Sequence, residues 1–587
     1  MSKYRYIFLV LALALSGGQP AFAQEKPVTE LQGPTSSEPF SITSGSSFTA
    51  SSNSPNARRK AAAVLPETIE RDVAEALAII GGNHVSGKQL DRDQLSAKAI
   101  TGMLKTLDPH STFYPTEEFQ ALLGEYESEY SGTGSSIAGF VRNGQLEIYV
   151  LSTFAGSPAE KSGLQFGDRI VAVNGRAIAG LSPDSVRDLI RGKTGSIVRL
   201  TIEKATDLKT VNIEIRRDRV HEPSVPKGAI LRGKIGYIDI SNGFGNTTYI
   251  EFDAALRDLK GRGITSVMID LRGNRGGILT QAIKVAERFL PGGVTIVTQR
   301  GRSFADEKTW RANAARPENM PLVVLVNERS ASASEVVAGA LQDNDRAMIV
   351  GQKTFGKGLV QNVLHLPGGA GLTLTAARYY TPAGRSIQRD YETTSLYDYY
   401  HHRNRTAEIG RSAFAARTPT NRVVYGGDGI TPDELVPTEP MTELRFALLD
   451  PIFFFSRDYL NGRIETNDGK TPGAKEIRQK ILFGEEIVDI GIEKAFSEFS
   501  KGHLDPSIAG SLANEAGFVR RMLTYFLALG AFGRDEAERT RIALDPVISL
   551  AADAIPRAAS LASEAEAARV RQRKQKRPSS LVLNGPR

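Results

Sequence analysis

Between residues 235 and 380 the chain alternates short runs that are apolar at nearly every position with segments that are apolar on one helical face. Residues 235–240, 267–271, 322–326, 348–350 and 372–380 have the length and composition of buried strands. Phe252, Ala255, Leu256 and Leu259 mark a helix face among them, and residues 332–342 read as a second helix. Alternation of this kind predicts an α/β core with parallel pairing. With 587 residues the chain is too long for one core, so three or more folded units with linkers are expected.

Two loops of that core carry reactive chemistry. Residues 327–361 offer hydroxyls at Ser330, Ser332 and Ser334 on a small-residue turn before a helix, then an amine in Phe355-Gly356-Lys357-Gly358. These are the parts of a serine nucleophile activated by a neutral lysine. The hydroxyl needs a base, and lysine serves only when burial lowers its pKa by several units. Phe355 and Leu359 supply apolar surroundings for that. Taken with the segments SASASE, ALQD and TFGKG and the trailing Gln361, the stretch resembles the carboxyl-terminal processing peptidases, or tail-specific proteases. Matched residue by residue, the resemblance puts Ser332 on the nucleophile, Lys357 on the general base and Gln361 on the residue that orients the lysine. Ser330, Ser334 and Lys353 are then neighbours.

The oxygen of an attacked carbonyl needs N–H donors close by. Ala333, next to the nucleophile at a helix start, is one candidate. The pair Gly276-Gly277 is the other, because glycine lets backbone approach closely. Residues 270–277 match the family pattern Asp-Leu-Arg-Gly-Asn-x-Gly-Gly, with Arg275 where proline is common.

Residues 132–217 read as short strands and turns. Leu146, Ile148 and Val150 alternate with polar neighbours, and Gly163, Gly167 and Asn174-Gly175 fall at a helix stop, a tight turn and a hairpin turn. The segment resembles a PDZ domain, a module that adds an extended peptide to a sheet edge and holds its terminal carboxylate on backbone N–H groups. The loop Gly132-Thr133-Gly134 lies where that carboxylate would sit, with Thr133 in place of the usual aliphatic residue. Arg191 occupies a turn where the family uses a basic residue to link peptide capture to the catalytic site. A solvated arginine is the plain alternative.

The resulting fold class is a multidomain α/β protein: a crotonase-like or Clp-protease-like α/β protease core with an inserted PDZ domain and helical regions at both ends. The crotonase-like and Clp-like layering comes from the resemblance. Residues 1–23 read as a signal peptide, from Lys3, Arg5, the apolar run at residues 7–15 and Ala21-Phe22-Ala23. Residues 24–64 read as a flexible linker and 65–131 as an N-terminal helical region, in which Asp108-Pro109 ends the helix marked by Ala97, Ile100, Met103, Leu104 and Leu107. Residues 132–217 form the PDZ domain, 218–440 the core with an insertion near 391–424, 441–568 a helical accessory region and 569–587 a basic disordered tail.

His110 is expected to cap or pack, not to act as a base. The pair His401-His402 lacks carboxylates at ligand spacing, so neither a metal nor another cofactor is expected. The net charge of +7 is concentrated partly in the tail, so nucleic acid is not an expected partner, and no membrane span is expected in the mature chain. Absence of cysteine excludes a cysteine nucleophile and a disulfide framework. Together these readings describe a periplasmic serine endopeptidase acting on proteins with exposed C-termini, with an adaptor protein and self-association left open. The rival reading is a PDZ-type scaffold with a silent or adaptor-dependent protease core.

Overall fold

The computed structural model describes residues 66–575 apart from 128, 227, 304–306, 402–414, 438, 467–468 and 505–511. The leader of residues 1–23, the linker of residues 24–64, His402 and the tail after Gln575 lie outside the described residues. The chain divides into two compact units, one ending at Thr106 and the other resuming at Leu107. In the first, helices Pro66–Asn83 and Arg92–Lys105 are described. Asp91 starts the second helix by accepting the N–H groups of Asp93 and Gln94 at 2.9 and 3.1 Å.

The larger unit is built on a six-stranded sheet. Its strands are Ala229–Leu231, Ile235–Asp239, Ser266–Asp270, Leu322–Val326, Met348–Gly351 and Glu434–Leu435, in that spatial order. All pairings are parallel except the first. Helices Thr248–Gly261, Leu279–Glu287 and Ala333–Asp343 are the crossovers. The strand order steps in one direction, so right-handed crossovers put all three on the same face. There Phe252, Leu256, Val285 and Val337 pack on Ile238, Ile269 and Val324.

Strands apolar at every position need cover on both faces. The opposite face presents Tyr237, Met268, Val323, Leu325 and Val350, and it is closed by Val547, Ile548, Ala551, Ala558 and Leu561. Those residues belong to helices Pro546–Ala552 and Ile555–Gln575, which gives part of the accessory region a structural role. The last helix runs on to Gln575, into the segment read from sequence as unstructured tail. Its Arg569 donates to the Asn344 carbonyl at 2.5 Å, a backbone partner invisible in a run of like charges.

Parallel pairing stops short of the strand expected at residues 372–380. Gly371–Tyr380 instead pairs antiparallel with Leu359–His365, Thr112–Tyr114 and Thr295–Gly301 in a second sheet. The reason is the tight turn between Leu366 and Ala370, since strands joined by a hairpin must run antiparallel. Strand Thr112–Tyr114 also interrupts the expected N-terminal helical region before helix Thr116–Tyr126.

The PDZ-like segment folds as a separate antiparallel sheet in the order Ser135–Arg142, Gln145–Thr153, Arg169–Val173, Ile197–Glu203, Thr210–Arg216. The chain enters through Glu129–Gly132 and leaves through Asp218–His221, which pair antiparallel as a stem. The outer face of this sheet docks on helix Glu443–Leu460 of the accessory region. Phe140 stacks on Phe453 with centroids 3.7 Å apart, and Arg457 donates to the Gly167 carbonyl at 2.7 Å. Phe453→Ala is expected to lower the unfolding free energy by about 3–5 kcal/mol. The check is urea denaturation, where an unchanged midpoint would show that the stack contributes nothing.

Candidate active site

Ser332 precedes helix Ala333–Asp343, a helix buried along its whole length because alanine, valine and glycine fill the faces towards both sheets. Its backbone is at φ 56° and ψ −115°, a conformation that costs a non-glycine residue about 1–3 kcal/mol and turns it away from the helix. Buried Glu335, one turn into the helix, holds it there: Oε2 accepts the Ser332 N–H at 2.8 Å. The same oxygen accepts the Lys357 N–H at 2.8 Å, so the two backbone nitrogens lie no further apart than twice that distance. Oε1 accepts the Gly356 N–H at 2.7 Å and the Thr354 hydroxyl at 2.5 Å. Burial raises the Glu335 pKa, and its four donors act against that rise.

Lys357 lies on the loop leading into strand Leu359–His365. Burial lowers its pKa to about 8, against the opposing pull of Asp108 and Glu335. Its Nζ donates to Gln361 Oε1 at 2.6 Å, and Gln361 Nε2 donates to the His110 carbonyl at 2.5 Å. A register shift between Val360 and Gln361 re-aims the glutamine on its strand.

The neighbours are committed elsewhere. Ser330 Oγ donates to the Leu271 carbonyl at 2.7 Å, Ser334 Oγ donates to the Asn274 carbonyl at 3.0 Å, and Lys353 pairs with Asp428 at 2.5 Å. His110 packs as expected from sequence, its Nε2 2.7 Å from the Tyr399 hydroxyl, and burial beside Lys357 pushes its pKa down to about 3.

Opposite Ser332 lies the glycine loop. A Cβ on Gly276 would come within 2.8 Å of the Ser332 Cβ and 3.1 Å of the Ala333 nitrogen, so only glycine allows this approach. The Gly276 N–H donates to Asn274 Oδ1 at 2.8 Å. Among the described residues the N–H groups of Gly277 and Ala333 have no acceptor, and Gly277 is exposed. Asn274 is fully buried; besides holding Gly276, its carbonyl accepts the Ala331 N–H at 2.9 Å.

The structure brings Ser332, Ala333, Lys357, Gln361 and Gly276-Gly277 together, whereas Gly132, Thr133, Gly134 and Arg191 gather at the PDZ stem. Gly134 packs on Ser157, buried Thr133 bonds Ser135 at 3.0 Å, and the Arg191 guanidinium lies 5.0 Å from the centre of the Tyr130 ring. Sequence reasoning missed Glu335 and Asn274. The spacing Ser-x-x-Glu of a helix capping box, Ser332 to Glu335, was the available signal for the first.

Residues 234–394 match peptidase family S41, and residues 153–204 match a PDZ domain. A carboxy-terminal-processing protease of Bartonella bacilliformis is 37% identical over 303 residues, covering 51% of this chain and 68% of that protein. The chain belongs to peptidase family S41. It is a serine peptidase of the carboxy-terminal-processing type with a PDZ domain. A probable CtpA-like serine protease of Staphylococcus aureus is 36% identical over 302 residues, 51% of this chain and 59% of that protein, so the chain spans less than two thirds of the staphylococcal relative. Among solved structures, a photosystem II D1 C-terminal processing protease is 30% identical, with a TM-score of 0.32, over 55% of this chain and 91% of that one.

Within this S41 peptidase Glu335 is joined to the backbone of both Ser332 and Lys357. Glu335→Gln turns one acceptor oxygen into a donor facing N–H groups, and it is expected to lower kcat by about 100-fold. Steady-state kinetics check this, and wild-type kcat in a folded variant would refute it.

Proposed function

We propose that the chain is an exported, periplasmic serine endopeptidase that captures C-terminal tails of envelope proteins on its PDZ domain and cleaves by a Ser332–Lys357 acyl-enzyme route. The observation that carries the reading is the Lys357 amine, lowered to about 8 by burial and held on Gln361 at 2.6 Å. Neutral Lys357 takes the Ser332 proton as Oγ attacks the peptide carbonyl carbon. The oxyanion is received by the N–H groups of Ala333 and Gly277. Collapse breaks the C–N bond, and protonated Lys357 returns its proton to the leaving amine. Water then attacks the acyl-enzyme, with Lys357 again as base, and frees Ser332.

Tail capture is supported by strand Ser135–Arg142, which lies at an edge of the PDZ sheet and directly follows the loop Gly132-Thr133-Gly134. An extended peptide can add to such an edge, with its carboxylate at the loop. Arg191, stacked on Tyr130 of the stem, is the proposed link from capture to catalysis. Export is supported by the leader pattern of Lys3, Arg5 and Ala21-Phe22-Ala23.

Ser332→Ala is expected to lose cleavage of envelope proteins by about 10⁴-fold or more while tail-peptide binding is retained. Mass spectrometry of new termini and peptide-binding titrations read the two effects, and full cleavage by the variant would sink the assignment. Protein recovered from the periplasmic fraction is expected to begin at Gln24, whereas an intact leader or cytoplasmic recovery would refute export. Because the base must be neutral, kcat/KM is expected to rise about tenfold per pH unit and level off above about 8. An acid limb near pH 4, or none, would remove Lys357 as the base.

A further inference from the structure

The insertion near 391–424 reaches the catalytic lysine. Its short helix Leu396–His401 carries Tyr399, a fully buried side chain whose hydroxyl lies 2.7 Å from His110 Nε2. The His110 carbonyl receives Gln361 Nε2, and Gln361 Oε1 receives the Lys357 amine, so three short contacts join the insertion to the base. Tyr399 is also braced on the lysine loop itself. Arg389 donates to the Tyr399 and Phe355 carbonyls, and its guanidinium lies 4.1 Å from the Phe355 ring centre and 5.0 Å from that of Tyr399. Gln388 donates to the Tyr399 hydroxyl at 3.3 Å and accepts the Gly358 N–H at 2.8 Å.

The protonation states agree with this direction of bonding. Burial holds the Tyr399 phenol well above its usual range, so it keeps its proton. Burial beside Lys357 holds His110 neutral, so one ring nitrogen can accept. With His110 as the Nδ1–H tautomer, the phenol donates to Nε2 while it accepts from Gln388. A neutral lysine amine has two N–H bonds and one lone pair. Fixing one N–H on Gln361 Oε1 limits where the lone pair points, and that requires the glutamine amide not to turn over.

We propose that Tyr399 and His110 are positioning residues for the general base: by pinning the His110 carbonyl they keep the Gln361 oxygen, not its NH2 group, towards Lys357. The proposal rests on Lys357 being the base. Its three-residue relay couples a segment outside the core pattern to the proton transfer.

The test is a double-mutant cycle on the full chain with Tyr399→Phe, which removes only the hydroxyl, and His110→Ala. Each single variant is expected to lose about tenfold in kcat with KM unchanged, and the pair no more than either alone. The acid limb of kcat/KM is expected to move to higher pH, because a loosened amide admits water and lets the Lys357 pKa climb back. Wild-type kcat in Tyr399→Phe would overturn the proposal, as would multiplied losses in the pair or an unmoved acid limb. Ser332→Ala separates the two levels: if it is inactive while Tyr399→Phe behaves as wild type, only the relay fails. If Ser332→Ala is active, the reading of the site itself fails. Thermal unfolding of Tyr399→Phe at the wild-type temperature excludes misfolding as the cause of its loss.

Discussion

One buried carboxylate holds the site together. Glu335 accepts from Ser332, Thr354, Gly356 and Lys357 at 2.5–2.8 Å, which ties the strained turn at Ser332 to the lysine loop although these lie on different elements. An ionised carboxylate without donors would be costly at this depth, and four N–H or O–H groups stabilise it. The same bonds offset the backbone strain at Ser332. Helix Ala333–Asp343 is anchored at its other end by Asp343, paired at 2.5 Å with Arg385, and both side chains are fully shielded from solvent. Its register is thus fixed by charge at both ends, while the small side chains between them let it sit deep in the core.

The accessory helices are as much a part of the core as the sheet. Their last two members close the sheet face that the crossover helices leave open, and Asp545 at the start of one of them bonds Arg272 of the glycine loop at 2.8 Å. Arg272 is in turn paired with Asp270 at 2.6 Å, so the loop that presents Gly277 is braced from both sides. The first accessory helix meanwhile holds the PDZ sheet. Swinging that sheet away would expose Phe140, Tyr149 and Phe453 at about 1.5–3 kcal/mol for each ring.

Much of this was legible in the sequence for a physical reason. Strand runs such as Leu322–Val326 and the turn glycines at Gly163, Gly167 and Gly175 report local demands, which a single stretch of chain can reveal. Continuous apolar runs also signalled two covered faces, but not which segment supplies the second cover, because helices Pro546–Ala552 and Ile555–Gln575 lie more than two hundred residues beyond it. The glycine loop has a similar limit: the pattern marks Gly276 as a residue that must lack a side chain, whereas the direction of its N–H depends on Asn274. Tyr399 and His110, 289 residues apart, could be joined only by the fold.

Two carboxylates near Lys357 act against a neutral amine there. Asp108 and Glu335 both favour the ammonium, yet burial prevails and the pKa falls from 10.5 to about 8. Each carboxylate already spends its charge on closer donors. Asp108 accepts the N–H groups of His110 and Ser111 at 2.8 Å and the Ser111 hydroxyl at 2.7 Å, as Glu335 accepts its own four. Neither forms an ion pair with the amine, whose hydrogen-bond partner is the neutral amide of Gln361. A carboxylate in place of Gln361 would favour the ammonium and raise the lysine pKa. The neutral amide orients the amine without opposing its deprotonation, which is why a glutamine suits this position.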